Sequence, residues 1–246
     1  MGSGSTLIMY WSQVRILAGP PKNMENFEFT NNWFKDAAKF QWDRLIPNLK
    51  PSKILEIGSY EGASACYLIQ KLGREKSIEI HCIDSWSSEN NPDKLDNENG
   101  DKFKEKYGNL SGELQNMNNV ESRFKKNTKI AIESVSNKIN LFIHKGFSDD
   151  QLIKLLNDGK KNYFDFIYVD GSHLGPDVLC DAVLSFRLLK IGGVMAFDDY
   201  LFSQGGNKDL TLIPKLAIDS FVNLYSGKIS MLNAPAYQIY VKKISN

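Results

Sequence analysis

Ile54-Leu55-Glu56-Ile57-Gly58-Ser59-Tyr60-Glu61-Gly62-Ala63-Ser64 is the stretch that decides how this chain folds. Three apolar residues, Ile54, Leu55 and Ile57, run into two glycines four positions apart, and helical spacing follows from Ser64 to Leu72. A strand, a tight turn and a helix start are predicted in that order. Glycine permits the sharp turn and lets a ligand approach the backbone closely. The free N–H groups of a helix start attract negative charge. A nucleotide-like ligand at the end of a parallel strand is the expected occupant. The spacing is G-x-x-x-G with Tyr60 at its centre, not the G-x-G-x-x-G of dinucleotide binding.

Outward from this turn the same unit repeats. Helical spacing over Phe34 to Leu45, closed by Pro47 and Pro51, precedes it. Ile78 to Ile83 alternates and ends at Asp84, as a second strand. Ser87 to Met117 is polar and too long for a simple connection, so it reads as an insertion, partly helical near Asp101 to Tyr107 and suited to lie over a site. Helical spacing returns over Val120 to Val135, followed by a strand at Ile139 to Ile143. Ser148 is placed to cap a helix from Asp149 to Leu156. Phe164 to Val169 is almost continuously apolar, as in a strand buried on both faces. A helix from Asp177 to Leu189, a strand from Val194 to Phe197 after Gly192-Gly193, a helix from Ile213 to Tyr225 and a hairpin of Lys228 to Leu232 with Tyr237 to Val241 complete the pattern. Repeated βα units with a final β-hairpin predict an α/β, Rossmann-like, doubly wound sheet of seven strands with one antiparallel member.

The chain has 246 residues, 42% of them hydrophobic, and a net charge of +1, enough for one α/β domain with a full core. This near-neutral balance argues against a nucleic-acid partner, and no apolar run is long enough for a membrane span. Cys66, Cys82 and Cys180 lack metal-ligand spacing and read as reduced thiols, which fits a cytoplasmic setting. Residues 1–23 lack the features of a signal peptide. Val14-Arg15-Ile16 is what the tRNA sequence GTTCGAATC encodes, so residues 1–23 are expected to be a poorly ordered leader upstream of a true start at Met24. The domain proper would then be 24–246, with the insertion at 87–117. The N-terminal helix and the insertion are the surfaces on which a homo-oligomer would form.

Ligands of open α/β sheets bind beyond the carboxyl ends of the strands. Five such ends carry polar residues: Glu56 with Gly58, then Asp84, Ser148, Asp170 and Asp198-Asp199. A carboxylate at Asp84 can accept both hydroxyls of a ribose, as in NAD enzymes too. Trp86 could cover a base or pack in the core. Ser64 could bind a carboxylate or simply cap its helix. Asp170, Asp198 and Asp199 at the ends of neighbouring strands repel one another unless a cation or a proton intervenes. With oxygen ligands alone, Mg²⁺, Ca²⁺ or Mn²⁺ suits them better than zinc. His173, three residues past Asp170, suits a general base because imidazoles titrate near neutrality. His81 and His144 fall in strand patterns and read as structural.

The 54–64 stretch resembles motif I of class I S-adenosylmethionine (SAM) methyltransferases, in the form seen in the catechol O-methyltransferase group. The resemblance extends over Lys53 to Lys242. It is closest in Phe164-Asp165-Phe166-Ile167-Tyr168-Val169-Asp170-Gly171-Ser172-His173 and Gly192-Gly193-Val194-Met195-Ala196-Phe197-Asp198-Asp199-Tyr200, which are similar to the methyltransferase domain 24 family with its macrocin-type O-methyltransferases. It implies that Glu56, Gly58, Ser59, Tyr60, Gly62, Ser64, Asp84, Trp86, Ser148 and Asp170 face SAM. In it Ser64 matches the hydroxyl that holds the SAM carboxylate, and Gly146-Phe147-Ser148 the segment near the adenine. It also implies that Asp170, Asp198 and Asp199 hold a divalent metal, with Asp199 where the catechol type has Asn. His173, with Asp170 beside it, would do the catalysis, where the catechol type has a lysine. The expected activity is metal-assisted O-methylation of a small hydroxylated acceptor, a sugar or secondary metabolite. Two alternatives remain: a metal-independent methyltransferase, or a SAM-fold protein that does not methylate.

Overall fold

The computed structural model describes residues 27–87, 116–202, 211, 213–234 and 237–246. The leader at 1–23, Met24 and most of the insertion at 87–117, with its helix near Asp101 to Tyr107, lie outside the described residues. Two short helices, α1 (Trp33–Ala37) and α2 (Lys39–Leu49), lead into β1 (Lys53–Ile57) and α3 (Ala63–Leu72). Then follow β2 (Ile78–Asp84), α4 (Met117–Glu133), β3 (Ile139–Lys145), α5 (Ser148–Asn157), β4 (Phe164–Val169) and α6 (Gly175–Leu188). The chain ends with β5 (Leu189–Phe197), α7 (Pro214–Leu224), β6 (Ile229–Leu232) and β7 (Ile239–Lys243).

The strands form one seven-stranded sheet in the order β3-β2-β1-β4-β5-β7-β6. The first five are parallel, and β7 runs antiparallel to both β5 and β6. Successive strands are added outward in one direction from β1 to β3 and in the other from β4 onward, and this switch between β1 and β4 opens the ligand crevice at their carboxyl ends. Period-two alternation sorts the inner strands into two cores. Ile54, Ile80, Cys82, Phe166, Tyr168, Val194 and Ala196 face α2, α3 and α4. Leu55, Ile57, Ile83, Ile167, Val169, Met195 and Phe197 face α5, α6 and α7. Trp42 closes the first core, edge-on to Phe166 and Tyr168 with ring centroids at 5.4 and 4.7 Å. Entry into β1 is fixed by Asp165, whose Oδ2 accepts the Ser52 and Lys53 N–H groups at 2.7 and 2.9 Å. All three cysteines are free, Cys66 and Cys82 being buried. No helix among the described residues is long and apolar enough to cross a membrane.

Three local expectations are corrected. The helix expected over Phe34 to Leu45 is two helices, and Pro47 lies inside α2. So close to the C-terminus a proline removes one hydrogen bond without breaking the element; Lys50, in the left-handed region with its N–H on the Ile46 carbonyl at 2.8 Å, ends it instead. Ser148 is not the cap of α5 but its first residue, and Phe147, in extended backbone, holds the cap position. Gly192 and Gly193 lie within β5 rather than before it. A Cβ on Gly193 would stand 2.8 Å from Leu189 Cδ1 and 3.0 Å from the Asp165 carbonyl oxygen, where the β4–β5 register shifts.

His81 and His144 form a stacked pair on β2 and β3, Nδ1 to Nε2 at 2.8 Å, with Glu79 Oε1 on His81 Nε2 at 2.9 Å. Burial first, then His81 and the nearby lysines, pushes His144 down to about 4. Burial likewise lowers His81, against the pull of Glu79. The unfolded imidazole titrates near 6.5. The folded state therefore holds its full stability from this pair above that pH and loses it as pH falls from about 6.5 towards 4. Urea unfolding at pH 7.5 and 5.0 is expected to show a larger acid loss in the wild type than in His144→Gln. Equal losses would remove the pair from the acid response.

Candidate active site

The Gly58–Gly62 loop is held from below by two acids. Gly58 (φ +85°) donates its N–H to the Ile83 carbonyl at 2.9 Å, and Gly62 (φ +82°) to that of Ser59 at 2.7 Å. Glu56 is fully buried on β1 and accepts the Ser59 hydroxyl at 2.7 Å and the Ser64 hydroxyl. Burial raises its carboxyl, and the two hydroxyls work against that rise. Asp84 accepts the N–H groups of Tyr60 at 2.8 Å and Trp86 at 2.7 Å; burial raises it as well. Asp84 thus stands at the loop, with one oxygen on each of these two N–H groups. The Ser64 hydroxyl is engaged with Glu56. Trp86 is a core residue, tilted against Phe124 with centroids at 5.0 Å and its Nε1–H on the Tyr60 carbonyl at 2.9 Å.

Sequence reasoning missed the group that covers this loop. Glu61 is buried and accepts the Thr30 N–H at 2.7 Å, the Thr30 hydroxyl at 2.8 Å and the Arg123 Nε–H. Asn127 donates to the carbonyls of Glu61 and Glu28 at 3.0 and 3.1 Å and accepts the Glu28 N–H at 2.8 Å. Residues 28–30 are strapped across motif I by α4, and Trp33 lies tilted against Tyr60 with ring centroids at 5.2 Å. These partners lie 31 to 99 positions apart, so no spacing rule joins them.

The second half of the site lies at the ends of β4 and β5. Asp170, Ser172, His173, Asp198 and Asp199 line one small cleft with an apolar wall of Val169, Val178, Phe197 and Pro214. Burial first, then Asp198 and Asp199, holds Asp170 well above the usual carboxylate value. Asp198 is raised by burial and by Asp199. It accepts the Tyr168 hydroxyl and, at 2.9 Å, the Asp199 N–H. Burial alone would raise Asp199, but it lies below the usual value because His173 and Tyr237 outweigh that effect. His173 Nε2 stands 2.8 Å from Asp199 Oδ2, and the Tyr237 hydroxyl donates to Asp199 Oδ1 at 2.8 Å. The imidazole is stacked on Phe202 at 4.4 Å. Asp199 adopts φ +56°, which turns its carboxylate to these partners.

Asp198 is buried, Asp170 and Asp199 are half-buried, and the two neighbours raise Asp170; the three carboxylates are an oxygen-only donor set of the kind that suits a hard divalent cation. As they stand, the Asp198 and Asp199 oxygens each accept a protein donor. Among the described residues no group of three or more His, Cys, Asp or Glu side chains is arranged to hold an ion.

Sheet order, glycine loop and acidic strand ends define a class I SAM-dependent methyltransferase fold. The family model described as a methyltransferase domain, type 24, matches residues 55–200, and the chain belongs to this family. A curated relative, "Probable caffeoyl-CoA O-methyltransferase 3" of Dictyostelium discoideum, is 38% identical over 69 residues, which is 28% of this chain; the match spans only 26% of that relative. An O-methyltransferase of Bacillus cereus, solved with SAH, superposes with a TM-score of 0.54 at 16% identity over 90% of this chain and 85% of that one. The O-methyltransferase TomG of Streptomyces achromogenes, solved with SAM, gives 0.51 at 14% identity over 83% and 78%. These likenesses are of fold.

Proposed function

We propose that this protein is a SAM-dependent O-methyltransferase acting on a hydroxyl of a small molecule. The observation that carries the reading is His173 on Asp199, beside Asp170 and Asp198, in one cleft across the strand ends from the glycine loop. When bound, SAM supplies an electrophilic methyl group on a sulfonium centre. On this reading Asp84 would accept the ribose hydroxyls, and the Gly58–Gly62 loop would receive the amino-acid end. His173 would take the proton of the acceptor hydroxyl as that oxygen bonds to the methyl carbon and the carbon–sulfur bond breaks, its electron pair leaving on the sulfur as S-adenosylhomocysteine. Asp199 orients that imidazole and stabilises the positive charge it gains. Holding the two reactants in line supplies much of the rate.

A divalent cation belongs to the same reading. Asp170, Asp198 and Asp199 would hold it, and it would lower the pKa of an acceptor hydroxyl. Loading it requires the hydrogen bonds from Tyr168, Tyr237 and His173 to be shared or released. The elevation of Asp170, by burial first and then by Asp198 and Asp199, supports this part.

Calorimetric titration with SAM, in Mg²⁺ and again in EDTA, tests both parts. Micromolar binding is expected, and then Mg²⁺-dependent transfer to hydroxylated acceptors in a screen. Transfer that survives EDTA would favour the metal-independent alternative. Absence of SAM binding in both buffers would overturn the methyltransferase reading.

A further inference from the structure

Asp181, on α6, has no part in the site described so far. It is 1% exposed, yet neither carboxylate oxygen meets a hydrogen-bond donor. One helical turn on, the buried Ser185 hydroxyl is also without a partner. Buried polar groups are nearly always satisfied, so an orphaned acid calls for an explanation. Burial first, then Asp177 and Asp149, pushes its carboxyl up to about 7; the Ser148 hydroxyl works against this without reaching hydrogen-bonding geometry.

Its position links it to the crevice. A Cβ built on Gly171 would stand 3.7 Å from Asp181 Oδ2 and 3.9 Å from the Gly58 nitrogen. Asp181 therefore lies behind the loop that follows β4, beside the glycine turn of β1 and near the start of α5. The same Cβ would stand 3.1 Å from Ile57 Cγ2, so the approach between them is narrow and glycine at 171 is what leaves it unfilled. On the proposed reading, a ribose sits at Asp84. The Gly146 N–H donates to the Asp84 carbonyl at 3.0 Å, so Gly146–Ser148 abuts that end of β2. On the opposite face Trp86 and Phe124 fill the space. A base carried by that ribose therefore extends towards Ser148 and Asp181.

We propose that Asp181 accepts the exocyclic amino group of the cofactor's adenine, and thereby selects adenine over 6-oxopurines. This rests on the cofactor reading above. An ionised carboxylate only accepts hydrogen bonds, so it pairs with an amino group and is left unpaired, facing another oxygen, by a 6-oxo group. Sites built around a buried polar partner reject ligands that lack the matching group.

The test uses the full chain at pH 8.5, titrated with S-adenosylhomocysteine and S-inosylhomocysteine, for wild type, Asp181→Asn and Asp181→Leu. Wild type is expected to prefer the adenine form by about tenfold or more. Asp181→Asn can present an amide donor to a 6-oxo group and is expected to lose most of that preference. Without ligand, Asp181→Leu is expected to melt no lower than wild type, since it removes an unsatisfied acid; a purely structural carboxylate would give a lower melting point. An unchanged preference in Asp181→Asn, or no preference in wild type, overturns the inference while leaving the cofactor reading intact. Failure of wild type to bind S-adenosylhomocysteine at all overturns both. If the leucine variant does not fold, the near-isosteric asparagine variant decides the question.

Discussion

His173→Ala is expected to lower kcat for methyl transfer to a hydroxyl acceptor by about 10²–10⁴-fold, the usual range for loss of a general base. SAM affinity should stay at the wild-type value, because on the proposed reading His173 meets the acceptor and not SAM; Mg²⁺ affinity should not fall, because the substitution frees Asp199 Oδ2. The structure gives the reason for so large an effect. The imidazole is fixed by the 2.8 Å contact to Asp199 on one side and the Phe202 ring on the other. Asp199 is itself fixed by Tyr237 and its own left-handed backbone. A base held this way needs no reorganisation when the proton moves. The decisive measurement is steady-state transfer with the best acceptor from the screen, beside calorimetry with SAM and with Mg²⁺. A kcat within about tenfold of wild type would remove His173 from the reaction, since that is only ~1.4 kcal/mol of barrier. An equal loss of SAM binding would instead make it a structural residue.

Gly58→Ala is expected to destabilise the fold by about 4 kcal/mol or more, or to prevent folding outright. Gly58 has φ +85°, and an added Cβ would lie 1.8 Å from the Asp170 carbonyl oxygen, 2.4 Å from its carbon and 2.7 Å from Gly171 Cα. All three are backbone atoms at the end of β4, so no side chain can swing aside. Two other glycines calibrate the effect in urea unfolding. At Gly62 (φ +82°) the Cβ would meet the edge of the Phe124 ring at 2.9 Å, and that ring can tilt. At Gly159 (φ +77°) there is nothing within 4 Å, which leaves backbone strain of about 1 kcal/mol. The order of loss should therefore be Gly58, then Gly62, then Gly159. A Gly58→Ala protein as stable as Gly159→Ala would show that β1 and β4 are not locked together at the crevice.

Legibility in the sequence followed the range of the interaction. Motif I, the apolar run at Phe164–Val169 and the acids at Asp84, Asp170 and Asp198 were readable because a strand, its turn and its terminal acid are contiguous. Pro47, by contrast, looked like a stop, because its distance from the actual helix end at Lys50 depends on how α2 packs against β4. Ser148 looked like a cap because the pattern is local, yet Phe147 takes that place and the hydroxyl is drawn towards Asp181, 33 positions on. Trp86 was legible as either ligand-facing or core, and only contact with Phe124 of α4 decided it.

The sequence alone determined the class of fold, the carboxyl ends at which ligands gather and the residue types waiting there. Period-two burial and the glycine turn are local consequences of backbone sterics and hydrophobicity. The tertiary structure decided which of those residues meet. It set His173 on Asp199, spread the hydrogen bonds of Tyr168 and Tyr237 over the acid cluster, strapped Thr30 to Glu61, and left Asp181 buried without a partner. Each of these depends on strands and loops brought together by the sheet order and the packing of helices on its two faces, which no spacing along the chain encodes.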